Sequence, residues 1–196
     1  MRTYLLEKSR VVFQAENERN YHIFYQLCIA STLPEMKYLQ LREQSEFAYT
    51  RQGHCALIKG VDDMSDFKET CKSLDLLGFS DVQQKEFFSI VAAVLHSGNI
   101  NFLEAERDGC KIDDADQAFT AFCVLMGLDD KGSEDMRKYL CFREIISMKE
   151  VFTKPMTNKE ASSARDALAK HIYSLLFSMM VTLINKSLAG NNSNLI

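Results

Sequence analysis

The chain has 196 residues, 46% hydrophobic and 26% charged, so it can bury a core and is not disordered; at about 100–200 residues per domain, two full domains do not fit. Lys and Arg total 23 against 27 Asp and Glu, and this net charge of −4 excludes a general electrostatic footprint for nucleic acid or an anionic membrane. Eight Gly and two Pro are few breakers, which favours long helices over a turn-rich sandwich.

At the N-terminus, Met1-Arg2-Thr3-Tyr4-Leu5-Leu6-Glu7-Lys8 meets charge before any apolar stretch of signal-peptide length, so a cytosolic chain is expected. Residues 17–31 place Tyr21, Phe24, Tyr25, Leu27 and Cys28 at helical spacing behind an Asn17-Glu18 pair suited to a cap, which predicts a buried helix. Pro34 starts a second short helical stretch through Met36 and Leu39. Phe47 to Ile58 reads as a connecting segment. Met64, Phe67, Cys71 and Leu74 then step by helical intervals, with Asp62, Asp63 and Asp66 crowding the first turn and Gly78 ending it.

Ser80 or Asp81 caps the next helix, whose Phe87, Phe88, Val91, Val94 and Leu95 form a broad apolar face up to a Gly98-Asn99 stop. Residues 104–116, dense in charge, read as an exposed loop. Phe119, Phe122, Cys123, Leu125 and Met126 predict a helix ending at Gly127, and a shorter one runs from about Glu134 to Cys141. From Arg143 to Met156, Ile145, Ile146, Met148, Val151 and Phe152 lie among charges and Pro155 closes the segment, which fits two short strands or a hairpin. Thr157-Asn158-Lys159-Glu160 spells a capping box and opens the longest helix, from about 158 to 188 and roughly 45 Å long. Its second half is almost wholly apolar and is expected inside a core. The run Ile172–Ile184 falls short of the roughly 18 residues needed to span a bilayer, so no membrane insertion is expected.

The chemistry-bearing motifs are missing. No G-x-x-x-x-G-K-[ST] loop, G-x-G-x-x-G fingerprint, H-E-x-x-H pair or G-x-S-x-G elbow occurs, so no catalytic residue is assigned. Cys28, Cys55, Cys71, Cys110, Cys123 and Cys141 form no Cys-x-x-Cys pair and read as buried reduced thiols. His22, His54, His96 and His171 are scattered one per segment, and Asp113, Asp114 and Asp116 lack the Gly and Glu of a calcium loop; no metal is expected. Composition and spacing alone lead to a mainly helical α+β protein and no further.

Three ordered blocks lead further. Thr3-Tyr4-Leu5-Leu6-Glu7-Lys8-Ser9-Arg10-Val11-Val12-Phe13-Gln14 continues through Glu18-Arg19-Asn20-Tyr21-His22-Ile23-Phe24-Tyr25-Gln26-Leu27; Val94-Leu95-His96-Ser97-Gly98-Asn99-Ile100 follows; then Ala164-Arg165-Asp166-Ala167-Leu168-Ala169-Lys170-His171-Ile172-Tyr173. Together they resemble the myosin motor domain, over essentially the whole chain. Gly60-Val61-Asp62-Asp63 and Thr153-Lys154-Pro155-Met156 are similar to class V, the cargo-carrying myosins.

The resemblance implies a partial motor head of P-loop NTPase type, lying between switch I and switch II in the upper, actin-facing subdomain. It implies a helical part over 1–142, an actin-contacting loop with its strands over 143–156, and over 157–190 a long helix leading toward switch II. The parent motor would use ATP and Mg²⁺, bound by parts outside these 196 residues. The implied partners are F-actin and the remainder of the heavy chain, at the cytoplasmic actin cytoskeleton. The family carries Thr, Glu, Asp or Ser sixteen residues before the Asp of Asp-Ala-Leu-Ala-Lys, and counting back from Asp166 gives Glu150. Glu supplies there a permanent negative charge that Thr or Ser gains only by phosphorylation. Glu150, with Lys149, Val151, Phe152 and Lys154, is the implied actin-binding set. The 104–116 segment resembles a second surface loop near actin. A reading of another class stays open: a non-catalytic helical module that binds actin or a protein partner.

Overall fold

The computed structural model describes residues 6–106, 109–147 and 150–191. Helix α4 (Asp81–Gly98) is the central element, because its sequence from Val91 to Leu95 offers no polar side and all five residues are fully buried. A capping box starts it: the Ser80 hydroxyl accepts from the Gln83 amide at 3.3 Å, and the Gln83 carboxamide oxygen accepts from the Ser80 amide at 3.0 Å. Helices α1 (His22–Ala30) and α7 (Asn158–Asn191) pack on α4, and their Phe24, Leu27, Ala169 and Leu176 join Val91 and Leu95 in a first core. Helix α3 (Asp63–Leu76) packs on α1, capped by Asp62, whose carboxylate accepts from the Met64 and Ser65 amides at 3.0 and 3.1 Å. Gly78 ends that run at φ 82°, as the sequence predicts. Helix α5 (Gln117–Leu125) packs elsewhere on α4. Around Ala93, Ile100, Phe119, Phe122, Leu140 and Ala161 a second core forms.

Several expectations need correction. The helix predicted over 17–31 begins only at His22, because Asn17 adopts φ 65° and residues 15–18 form a turn in which the Asn17 amide donates to the Gly53 carbonyl at 2.8 Å. The stretch after Pro34 is a 3₁₀ helix, Pro34–Leu39, ended by left-handed Gln40. The 47–58 segment is more than a connector: it holds the short helix α2 (Ala48–Arg51), and Phe47, Tyr49 and Thr50 are buried. Helix α6 (Asp130–Cys141) starts four residues before the expected Glu134, since Asp129 caps it through the Gly132 amide at 2.7 Å.

The segment read as an exposed loop over 104–116 contains a strand. β1 (Phe102–Glu104) pairs antiparallel with β2 (Cys110–Ile112), and Cys110 and Ile112 point into the second core while Lys111 points out. Three residues are too few to show as period-two alternation among so many charges. Arg107 and Asp108 lie outside the described residues. All six thiols are free, but Cys55 and Cys71 are only half-buried.

The largest correction concerns α7. Its capping box forms as predicted, with the Thr157 amide 2.9 Å from Glu160 Oε2 and the Glu160 amide 3.3 Å from Thr157 Oγ1. Its second half, however, is not enclosed. Ile172, Tyr173, Met180, Leu183 and Ile184 face the first core, and Tyr173 stacks on Tyr21 at 4.9 Å, but Leu175 is 58% and Met179 45% exposed. The helix is apolar on two faces and packed on one. By length and composition Asn158–Ala189 is even sufficient to cross a membrane, contrary to the short run counted in the sequence, although one of its faces packs in a protein core. Because Leu175, Met179 and Leu188 stand uncovered on α7, the isolated chain is expected to self-associate or stay partly unfolded. Sedimentation velocity checks this; a monomer with a cooperative melt is the contrary result.

Candidate functional site

β3 (Phe142–Ser147) and β4 (Glu150–Pro155) form the hairpin expected over 143–156. They pair antiparallel from Phe142↔Pro155 to Ser147↔Glu150. Strand alternation places Arg143, Ile145, Phe152 and Lys154 on one face and Phe142, Glu144 and Thr153 on the other. Phe152 is 52% exposed, Ile145 and Phe142 are also exposed, and Lys154 lies beside them in solvent. Of the five residues taken from the sequence, the structure therefore brings Phe152 and Lys154 onto one face. Lys149 lies outside the described residues. Backbone pairing positions Glu150 and Val151, but their side chains also lie outside the described residues.

The root of this ribbon is tied to α7. Arg143 Nη1 lies 3.5 Å from Glu160 Oε1, so the strand and the capping box share one carboxylate. Hydrogen bonds from Thr157, its backbone amide above all, hold the Glu160 carboxyl below the usual carboxylate range, with Arg143 and Lys154 adding to this. An exposed apolar-and-basic ribbon of this kind can dock a protein surface.

Sequence reasoning did not foresee what the three motif blocks do together. Asn20 donates from Nδ2 to the carbonyls of Val11 and Tyr49 at 2.8 and 2.7 Å, joining the first block to α2. Asn99 Oδ1 accepts from the Ala48 amide at 2.7 Å, and its Nδ2 donates to the Glu46 carbonyl at 2.7 Å. Buried His96 donates from Nε2 to the Leu39 carbonyl at 3.0 Å, and burial pushes its pKa down, so the ring sits neutral in the core. Tyr49, itself buried, donates to Asp166 Oδ1 of α7 at 2.5 Å, and Arg165 binds the same oxygen at 2.8 Å and the Ile100 carbonyl at 3.3 Å. A Cβ added at Gly98 would stand 2.9 Å from the Tyr49 ring, which is why glycine fits there. The blocks thus form one polar network that fixes α7 to the helical body.

ATP and Mg²⁺ are what the resemblance implies for the parent motor. Among the described residues no group of three or more His, Cys, Asp or Glu could hold a metal ion. A groove of about 720 Å³ between α4, α5 and α7 is lined mainly by apolar side chains such as Phe79, Val82, Phe87 and Leu183.

Comparison with known proteins accounts for the pattern. The myosin head (motor domain) family profile matches residues 1–195. Unconventional myosin-Va of Gallus gallus is 49% identical over 188 residues, covering 96% of this chain and 10% of that protein. Unconventional myosin-Vb of Mus musculus is 48% identical over 190 residues, covering 96% and 10%, and unconventional myosin-Vc of Homo sapiens 47% over 188, covering 96% and 11%. The chain therefore spans about a tenth of the length of these relatives. It belongs to the myosin head family, as a piece of a motor domain of the class V type.

Proposed function

We propose that this chain supplies part of the actin-binding surface and the coupling helix of an actin-based, ATP-driven motor head, within its upper, actin-facing subdomain. In this reading 1–142 is the helical body and 143–156 the loop that meets the filament, through Glu150, Lys149, Val151, Phe152 and Lys154. Residues 157–190 carry movement of that loop toward the nucleotide site. The P-loop, switch I and switch II belong to other parts of the heavy chain, as do ATP and Mg²⁺, and that remainder covers the uncovered face of α7. The molecule works in the cytoplasm on the actin cytoskeleton, in vesicle transport as the class V likeness suggests.

The supporting observation is the ribbon itself: Phe152 and Lys154 stand exposed on one face of a hairpin whose root is ion-paired to the first turn of α7. A docked filament would thereby press on a helix that the Tyr49–Asp166 bond fixes to the body. The test is Glu150→Lys in a complete motor carrying this sequence. A rim charge acts mainly on encounter, so actin association should slow by roughly three- to tenfold at low salt. The difference should shrink as the screening length falls to about 8 Å at physiological ionic strength. An unaltered actin-activated rate at low salt overturns the assignment. The 196 residues alone are expected not to bind Mg-ATP, and micromolar binding would show that the nucleotide cradle has been misplaced.

A further inference from the structure

Helix α6 runs straight into β3 with no loop between them: Cys141 is the last helical residue, and Phe142 is already extended at φ −133° and ψ 148°. The corner leaves a notch of about 410 Å³, lined by Asp135, Lys138 and Tyr139 of α6, Phe142 and Glu144 of β3, and Thr153 of β4. Helical spacing sets the first three on one side of α6. Strand alternation sets the other three on the hairpin face turned away from Phe152 and Lys154.

The rings and carboxylates of this notch lack counterparts. Tyr139 is 67% exposed and Phe142 is exposed beside it. Half-buried Asp135 and exposed Glu144 have no ion-pair partner among the described residues. The neighbouring cations are engaged: Lys138 Nζ lies 3.6 Å from Glu134, and Arg137 donates from Nη1 to the carbonyls of Ile112 and Asp113 at 2.7 and 3.2 Å. Asp129 and Asp130 add negative charge at the start of the same helix. Elsewhere the chain completes such acid–aromatic corners with its own arginines. Arg19 pairs with Asp63 while lying 3.7 Å from the Tyr25 ring centroid, and Arg137 lies 4.5 Å over the Phe119 ring with Asp114 at 3.7 Å.

We propose that the notch receives an arginine side chain presented by a protein partner. A guanidinium is flat and weakly hydrated, so it can stack on Tyr139 or Phe142 and still donate to Asp135 and Glu144. A lysine ammonium matches the charge but not the stacking. An anionic group meets two carboxylates, and an apolar side chain would leave both desolvated without a counter-charge. The volume lies toward the lower end of ligand-sized clefts, about 300–1,000 Å³, which suits one long side chain. This inference stands apart from the filament reading, because the notch is on the other hairpin face and its test uses neither actin nor nucleotide.

The experiment is a saturation-transfer NMR titration of a motor head carrying this sequence with end-blocked Gly-Arg-Gly, Gly-citrulline-Gly and Gly-Lys-Gly. The arginine peptide should bind saturably in the low-millimolar range and the other two more weakly. Tyr139→Ala removes the stacking ring and Asp135→Asn the charge, and each should weaken the arginine peptide about two- to fivefold. Asp135→Asn keeps the shape of the side chain, and Tyr139 points into solvent, so neither change reaches the core. The proposal is overturned if the arginine peptide shows no saturable binding, if the citrulline or lysine peptide binds as tightly, or if either variant binds it as the wild type does.

Discussion

Arg19→Ala is expected to destabilise its surroundings by about 3–4 kcal/mol, because it leaves a largely buried carboxylate without its partner. Arg19 is only 3% exposed at its side chain and Asp63 14%, and they meet at 2.6 Å, with a second contact at 3.1 Å. Arg19 Nη2 also donates to the Ala56 carbonyl at 2.8 Å, and the guanidinium lies 3.7 Å from the Tyr25 ring centroid. One side chain thus joins the 15–20 turn to α1, to the segment before α3 and to the first turn of α3. Hydrogen exchange in a motor head carrying this sequence should show the loss as roughly 10²- to 10³-fold faster exchange in α3 and its neighbours, at about 1.4 kcal/mol per tenfold. Arg19→Lys keeps the charge but not the two-pronged contact, and should fall between. A less than tenfold effect of the Ala variant would mean that the pair is not needed there.

The second large effect is expected at Gly53. A Cβ there would lie 1.9 Å from the Glu18 carbonyl oxygen and 2.9 Å from that of Ala15, both backbone atoms. The turn cannot retreat easily, since Asn20 just beyond it is held by Val11 and Tyr49 and Arg19 by Asp63. Gly53→Ala should therefore cost about 3 kcal/mol or more, at the upper end of overpacking. Gly60→Ala is the control. Gly60 has φ 85° but nothing within 4 Å of an added Cβ, so its cost is backbone strain of about 1–2 kcal/mol. Soluble yield and exchange rates of the two variants should rank accordingly, and equal behaviour would refute the steric account.

The contrast between the two glycines marks what was legible in the chain. Periodicity located α3, α4, α5 and the hairpin, and the Thr157–Glu160 capping box the start of α7, because each carries its own local signal. Asp62, read only as a first-turn charge, and the Gln83 half of the Ser80 box show as caps only in the fold. What failed depends on partners far away in sequence. Helix α1 starts late because residues 15–18 dock on Gly53, and β2 is a strand because Cys110 and Ile112 find a core made by α5 and α6. The uncovered face of α7 looked like core for the same reason: apolarity in a sequence records that a face is covered, and not by what. At the candidate site, the count from Asp166 points to Glu150, and the hairpin pattern puts Phe152 and Lys154 on one exposed face. The ion pair of Arg143 with Glu160, which links that ribbon to the helix, joins positions seventeen apart and has no local signature.

The Tyr49–Asp166 bond spans 117 positions, and the first core closes only when Ala169, Leu176 and Leu183 arrive. During ribosomal synthesis, at about 5–20 residues per second, the early helices must wait roughly 6 to 25 seconds before the strut that seals them has emerged. Throughout that interval Phe24, Leu27 and Val91 have an unfinished shelter, so the nascent polypeptide is a natural client for chaperones, and variants in α1 should act first on yield in the cell.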